Sequence, residues 1–179
     1  MTEQGPYLDF PGRLVIVGFG CIGQGLLPLI LRHIGISPAM ITVVVADADG
    51  RPIAEQAGVR LLTHALRPEN YRQVLEPLVG RGDFLLNVAV DVSSLALIDF
   101  ARNRGALYLD TSIEPWRGAY DDPTLALAAR TNYALREQAL ALRTDSPRQP
   151  TAVLTHGANP GLVSHFVKRA LLDLAAETG

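Results

Sequence analysis

Three glycines at fixed spacing, in Gly18-Phe19-Gly20-Cys21-Ile22-Gly23, are the part of this sequence that most directly implies chemistry. Between a strand and a helix this pattern cradles a dinucleotide. Gly18 permits the tight turn, Gly20 lets the backbone approach a pyrophosphate, and Gly23 allows the helix to pack closely. The helix start adds unpaired N–H groups and a partial positive charge for the phosphates. A second apolar run ends in Asp47, where a carboxylate would accept hydrogen bonds from the adenosine ribose and repel a 2′-phosphate, selecting NAD over NADP. Its separation from the glycines exceeds the usual ~20 residues, and the stretch from His33 to Met40 absorbs the excess. The alternatives are that Asp47 is a solvated loop aspartate and that Arg51 nearby admits NADP. Cys21 at the helix start would be placed for thiolate reactivity, and its plainer reading is a small residue beside the pyrophosphate.

A second group of polar residues falls at or just beyond strand ends: Asp91, Asp110 and Glu114. The carboxyl edge of an open α/β sheet is where ligands bind, and clustered carboxylates there would suit a diammonium ligand. Each also has a structural alternative. Asp91 could contribute to a helix cap beside Ser93, Asp110 could be a turn residue, and Asn159 could simply cap the helix begun by Pro160. Trp116 could stack on a cation or anchor a loop on the core. His33, His64, His156 and His165 have no metal-ligand spacing; His156 is expected near the cofactor edge. No Gly-x-Ser-x-Gly or Cys/His nucleophile pattern occurs.

The elements that must position these residues alternate. Leu14 to Val17 is a strand, and a helix follows with Ile22, Leu26, Leu29, Ile30 and His33 on its pattern, bent at Pro28 at a cost of ~3 kcal/mol. Strands are expected at Ile41–Ala46, Val59–Leu66, Phe84–Val90, Ala106–Leu109 and Thr151–Thr155. Helices are expected at Ile53–Ala57, from Pro68 through Leu78, and from the Ser93-Ser94 cap to a stop at Gly105. Asp122-Pro123 starts a long alanine-rich helix running to about Arg143, Asp145–Pro150 is a linker, and Asn159-Pro160 opens a helix with Leu162, Val163, Phe166, Val167, Ala170, Leu171 and Leu174 inward. Continuously apolar strands fit a parallel sheet covered on both faces. The fold class is therefore α/β, a doubly wound parallel sheet of Rossmann type.

Composition limits the partners. With 179 residues the chain suits one domain and is too short for a two-domain dehydrogenase. A net charge of -2 without basic clusters argues against nucleic acid and against a polybasic membrane contact, leaving small molecules. The N-terminus lacks signal-peptide character and the apolar runs are too short to span a bilayer, so a cytoplasmic location is expected. The single cysteine, Cys21, excludes an intrachain disulfide and a thiolate metal cage.

Several segments are distinctive in wording: Leu86-Asn87-Val88-Ala89-Val90-Asp91-Val92-Ser93-Ser94-Leu95, Gly105-Ala106-Leu107-Tyr108-Leu109-Asp110-Thr111, Glu114-Pro115-Trp116, Thr131-Asn132-Tyr133-Ala134-Leu135-Arg136-Glu137, and His156-Gly157-Ala158-Asn159-Pro160-Gly161. Together they resemble bacterial homospermidine synthases, of the saccharopine-dehydrogenase-like group, over nearly the whole chain. The resemblance implies an NAD-dependent transferase that makes homospermidine from two putrescines, or from spermidine and putrescine. In that chemistry a hydride leaves an amine carbon to give an imine, a second amine attacks, ammonia departs and the hydride returns, with NAD held as a prosthetic group. It also implies that Asp91, Glu114 and Asn159 line the polyamine site and that Asn87, Asp110 and Thr111 lie along the cofactor. Members of the family are considerably longer, so residues 1–179 are expected to be the Rossmann domain and N-terminal part of a two-domain enzyme. That full-length enzyme is expected to be a homodimer.

Two other readings remain open. One is a saccharopine-dehydrogenase-like imine reductase, whose anionic substrate would want a cation near Glu114, where only Arg117 offers one. The other is a non-enzymatic NAD-binding module that reports cofactor state to a partner.

Overall fold

In the computed structural model, which describes residues 5–143, 149–157 and 161–178, a six-stranded, wholly parallel sheet forms the centre. Its first strand, β2 (Leu14–Val17), is buried along its entire length because both faces are covered. Successive side chains alternate between faces. Val15 and Val17 join one apolar cluster with Leu75, Leu97 and Phe100, while Leu14 and Ile16 join a second with Leu27, Ile41 and Val43. This two-sided burial is why the strand has no polar alternation.

Helix α1 (Cys21–His33) returns from β2 and runs through Pro28. Strand β4 (Ile41–Val45) pairs with β2, α2 (Arg51–Gln56) follows, and β5 (Arg60–Thr63) pairs outside β4. The chain then crosses by α3 (Tyr71–Leu75) to β6 (Phe84–Asn87) on the other side of β2. Helix α4 (Ser94–Arg104) leads to β7 (Leu107–Asp110), and α5 (Asn132–Ala141) precedes the short β8 (Ala152–Val153). The strand order is β5-β4-β2-β6-β7-β8. The direction of winding reverses between β2 and β6, which opens a crevice at their carboxyl ends.

Several expectations hold at single residues. Ser93 caps α4, its Oγ accepting from the Ala96 amide at 3.3 Å, and Gly105 ends the helix in the left-handed region with φ 72°. Others are corrected. The long helix expected from Asp122 to Arg143 is interrupted: a 3₁₀ turn at Leu127–Arg130 precedes α5. Thr131 makes the break, with Oγ1 accepting from the Ala134 amide and donating to the Ala128 carbonyl. A threonine so placed favours a new helix start over continuation. The stretch from His33 to Met40 holds a short strand, β3 (Ile34–Gly35), paired in parallel with β1 (Leu8–Asp9). Most of the expected linker, and the Asn159-Pro160 helix start, lie outside the described residues. Helix α6 (Leu162–Thr178) follows them, and the apolar stripe expected to face inward is not buried: Phe166 is 68% exposed and Leu171 61%. Among the described residues no helix is long and apolar enough to cross a membrane.

Candidate functional site

The glycine turn stands at the mouth of the β2/β6 crevice. Gly18 has φ +90°, and a β-carbon there would lie 2.7 Å from the Ala89 backbone that follows β6, so both conformation and space require glycine. At Gly23 a β-carbon would meet the Gly18 carbonyl oxygen at 2.9 Å, which is the close packing of helix on strand expected of this position. Gly20 differs: a β-carbon there meets nothing within 4 Å. The fold itself does not need that space. It is the space a pyrophosphate approaching the backbone would need.

Gly20 is also the N-cap of α1 and has no side chain to cap it, so the amides of Cys21, Ile22 and Gly23 face the turn without intrahelical partners. Cys21 and Ile22 are exposed beside it. Phe19 turns its ring into the core, against Gly50, and is 5% exposed; only its backbone can face a ligand, which narrows the cofactor role expected of it. These features fit a dinucleotide diphosphate.

Asp47 lies exposed just past the end of β4, next to the crevice, and its Oδ1 accepts from the Asp49 amide at 3.1 Å. Arg51 points elsewhere, donating to Thr63 Oγ1 at the end of β5.

On the other side of the crevice, the loops after β6 and β7 carry the carboxylates. Asp91 is exposed and adopts φ +62°, a conformation rare for non-glycine residues. Its carboxylate is 3.4 Å from Nε of the exposed Arg117. Thr155, after β8, is the other non-glycine residue with positive φ among the described residues, at 56°. Both stand on the carboxyl edge, where strain of this kind tends to accompany function. Glu114 is half-buried, and Ser112 Oγ donates to its Oε1 at 3.0 Å.

Asn87 and Asp110, expected along the cofactor, are both buried, and their side chains are engaged within the protein. The Tyr108 hydroxyl donates to Asp110 Oδ2 at 3.0 Å and accepts from Asn87 Nδ2 at 3.4 Å, and the Thr155 amide donates to Asp110 Oδ1. Burial raises the Asp110 carboxyl above its ordinary range, although the Thr155 amide and the Ser94 and Tyr108 hydroxyls favour the ionised form. Burial, and then the Asp110 charge, push the Tyr108 hydroxyl well up as well. The network ties together the ends of three neighbouring strands. Thr111 is half-buried in the loop just beyond.

The Trp116 ring packs 5.5 Å from that of Tyr71, against the core, and remains half-buried. With Tyr120 and Arg130 it lines a cavity of about 230 Å³. Sequence reading passed over Tyr120, which sits near Glu114; burial and then that carboxylate raise its hydroxyl, which donates to Asn132 Oδ1 at 2.7 Å. His156 places its amide on the Asp110 carbonyl and its ring edge-on to His165. Asn159 lies outside the described residues.

This arrangement has counterparts in known proteins. The family model for the saccharopine dehydrogenase NADP binding domain matches residues 14–153. A homospermidine synthase of Blastochloris viridis is 47% identical over 182 residues, which is 100% of this chain and 38% of that protein. One of Mesorhizobium japonicum is 42% identical, over 97% of this chain and 36% of its own length. The crystal structure of the homospermidine synthase of Legionella pneumophila in complex with NAD superposes with a TM-score of 0.85 at 43% identity, covering 96% of this chain and 35% of that one. The chain thus spans somewhat over a third of the length of these relatives. With the glycine turn, the reversal of winding and the matched residues in agreement, the chain belongs to the saccharopine dehydrogenase NADP-binding domain family.

Proposed function

We propose that residues 1–179 are the NAD-binding, N-terminal part of a homospermidine synthase-type enzyme that transfers an aminobutyl group between putrescines. The observation that carries this reading is that Asp91 and Glu114 share the carboxyl edge with the glycine turn, in a chain matched along its whole length by homospermidine synthases. NAD would rest on the Gly18–Gly23 turn with its adenosine ribose at Asp47. When bound it supplies a reversible hydride acceptor.

The chain's own residues would do the rest. Two carboxylates facing the crevice attract the ammonium groups of a diamine. Glu114, oriented by Ser112, would hold one end of the substrate, and the Asp91 carboxylate would exchange Arg117 for a substrate ammonium. Asn159 is proposed as a further polyamine contact. Asp110 and Asn87 support this edge from below, and Thr111 would border the cofactor. An anionic amino-acid substrate would need the exposed Arg117, which here stands 3.4 Å from the Asp91 carboxylate. The fit of Gly20 and Asp47 to a dinucleotide is shared with a purely cofactor-sensing module, and the carboxylate pair is what separates the two.

The test titrates NAD and putrescine separately, the first by calorimetry and the second by amide chemical shifts. Glu114→Gln is expected to weaken putrescine binding by about tenfold, the loss of one charge-assisted contact, and to leave NAD affinity within about twofold. Loss of NAD binding with an unchanged putrescine response would overturn the assignment of Glu114.

A further inference from the structure

We propose that Ser94 is the positioning residue of Glu114, fixing where its carboxylate stands relative to Asp91. The inference rests on the reading of Glu114 as a diamine-facing carboxylate.

Ser94 is fully buried at the start of α4, but its amide and hydroxyl do not serve that helix. Capping is done by Ser93. The amide and the hydroxyl of Ser94 both reach across 20 residues to Glu114: the Ser94 amide donates to the Glu114 carbonyl at 2.8 Å, and the Glu114 amide donates to Ser94 Oγ at 3.0 Å. The Ser94 hydroxyl in turn donates to the Ser112 carbonyl at 3.4 Å, sharing its one proton with the Asp110 carboxylate, whose charged form it favours. Ser112 is the residue whose own hydroxyl holds Glu114 Oε1. One side chain therefore pins the backbone on both sides of the buried Ile113.

Pro115 adds a restriction, because the residue before a proline is held to extended backbone. With its backbone conformation limited and both peptide groups tied to Ser94, Glu114 has few positions for its carboxylate. Ser94 also lies three residues after Asp91. The α4 start thus carries one carboxylate on its own loop and grips the loop of the other. Since Ser94 is inaccessible to water, no solvent molecule replaces its hydroxyl when it is removed.

The experiment compares Ser94→Ala, Ser94→Thr and Glu114→Gln in the whole chain, reading hydrogen exchange at the Glu114 amide, NAD affinity and the putrescine titration. Ser94→Ala is expected to speed exchange at Glu114 by about tenfold or more, to raise the apparent putrescine Kd toward that of Glu114→Gln, and to leave NAD affinity within about twofold. Ser94→Thr, which keeps the hydroxyl, restores both. Unchanged exchange at Glu114 in Ser94→Ala overturns the proposal whatever the diamine does. Faster exchange with normal putrescine binding, while Glu114→Gln binds weakly, also overturns it and leaves the role of Glu114 standing. If Glu114→Gln binds putrescine normally, the diamine reading of the site fails instead, and with it any purpose for the positioning. Should Ser94→Ala not fold, Ser94→Cys, which fills the same space with a poorer acceptor, is read in the same way.

Discussion

Gly18 and Ala89 come so close that a β-carbon at position 18 would stand 2.7 Å from both the Ala89 amide nitrogen and its α-carbon. Gly20, two residues on, has open space where its β-carbon would stand. Two glycines of one motif therefore answer to different demands. Gly18→Ala is expected to destabilise the fold by about 2 kcal/mol or more, from strain at positive φ and the clash with Ala89. Gly20→Val should leave the melting temperature nearly unchanged and weaken NAD binding by about tenfold or more, since only the ligand competes for that space. Thermal unfolding with calorimetry checks both, and a Gly20→Val protein that binds NAD normally would remove this turn from the cofactor site.

Cofactor choice turns on Asp47 and Arg51. The carboxylate is free of any cation within salt-bridge distance among the described residues, and the guanidinium is occupied by Thr63. A 2′-phosphate at Asp47 would meet like charge, so NAD should bind more tightly than NADP by about tenfold or more. Asp47→Ser should narrow that gap, chiefly by improving NADP. Equal affinities in the parent chain would count against the assignment of Asp47 and in favour of the phosphate that the family description carries.

The Tyr108–Asp110 network predicts a pH dependence of stability. Because burial raises the Asp110 carboxyl above its ordinary 3.8, the folded chain keeps this proton to higher pH than the unfolded chain does. Wherever the native state binds more protons, stability falls as pH rises. The contribution is therefore most favourable on the acid side and is lost from about 3.8 upward through the folded-state value. Asp110→Asn removes this slope and keeps an acceptor for the Thr155 amide. Urea unfolding of both proteins between about pH 4 and 8 should show parent stability, relative to the variant, declining as pH rises. A difference that is flat or rises would refute the burial argument.

What could be read in advance depended on whether its cause was local. The glycine turn, the Ser93 cap and the Gly105 stop each depend on a few neighbouring residues, and each stands where the sequence places it. The break at Thr131 was local too but was hidden, because the alanine-rich composition around it favours helix on both sides. Ser94 could not have been found this way. Its partners lie 18 and 20 residues away on another loop, and nothing in its neighbourhood separates it from Ser93, which does the capping. For Asn87 and Asp110 the position at strand ends was legible. That their side chains turn into the protein was not, because it depends on Tyr108 reaching between them.

Mixed with NAD and putrescine, the purified chain is expected to make no homospermidine. Asp91 is exposed and Glu114 half-exposed, so this edge forms one open wall of a site. Passing an amine carbon through an imine requires water to be kept out and the second amine held in line. Chromatographic detection of homospermidine together with released ammonia is the check. Sustained turnover would mean that the whole catalytic enclosure lies within these residues.

Helix α6 leads to the last expectation, self-association of the chain in isolation. Leu162, Phe166, Leu171 and Leu174 are each 45% exposed or more, as are Val167 and Leu172, and no side chain of the helix is buried. Apolar area of this extent on one helix gains free energy when covered, at about 25 cal/mol per Å² removed from water. A second copy of the same helix can provide that cover, since its polar residues Lys168, Arg169 and Asp173 can stay at the rim; Arg169 and Asp173 already pair with each other along the helix at 2.9 Å. Sedimentation velocity should therefore show the average mass rising with concentration, and Phe166→Glu with Leu171→Glu should return the chain to a monomer. Because α6 does not form the glycine turn, the double variant should bind NAD as the parent does. A chain that stays monomeric at every concentration, or a double variant that still associates, would place the association elsewhere or nowhere and leave α6 an exposed helix that is stable on its own.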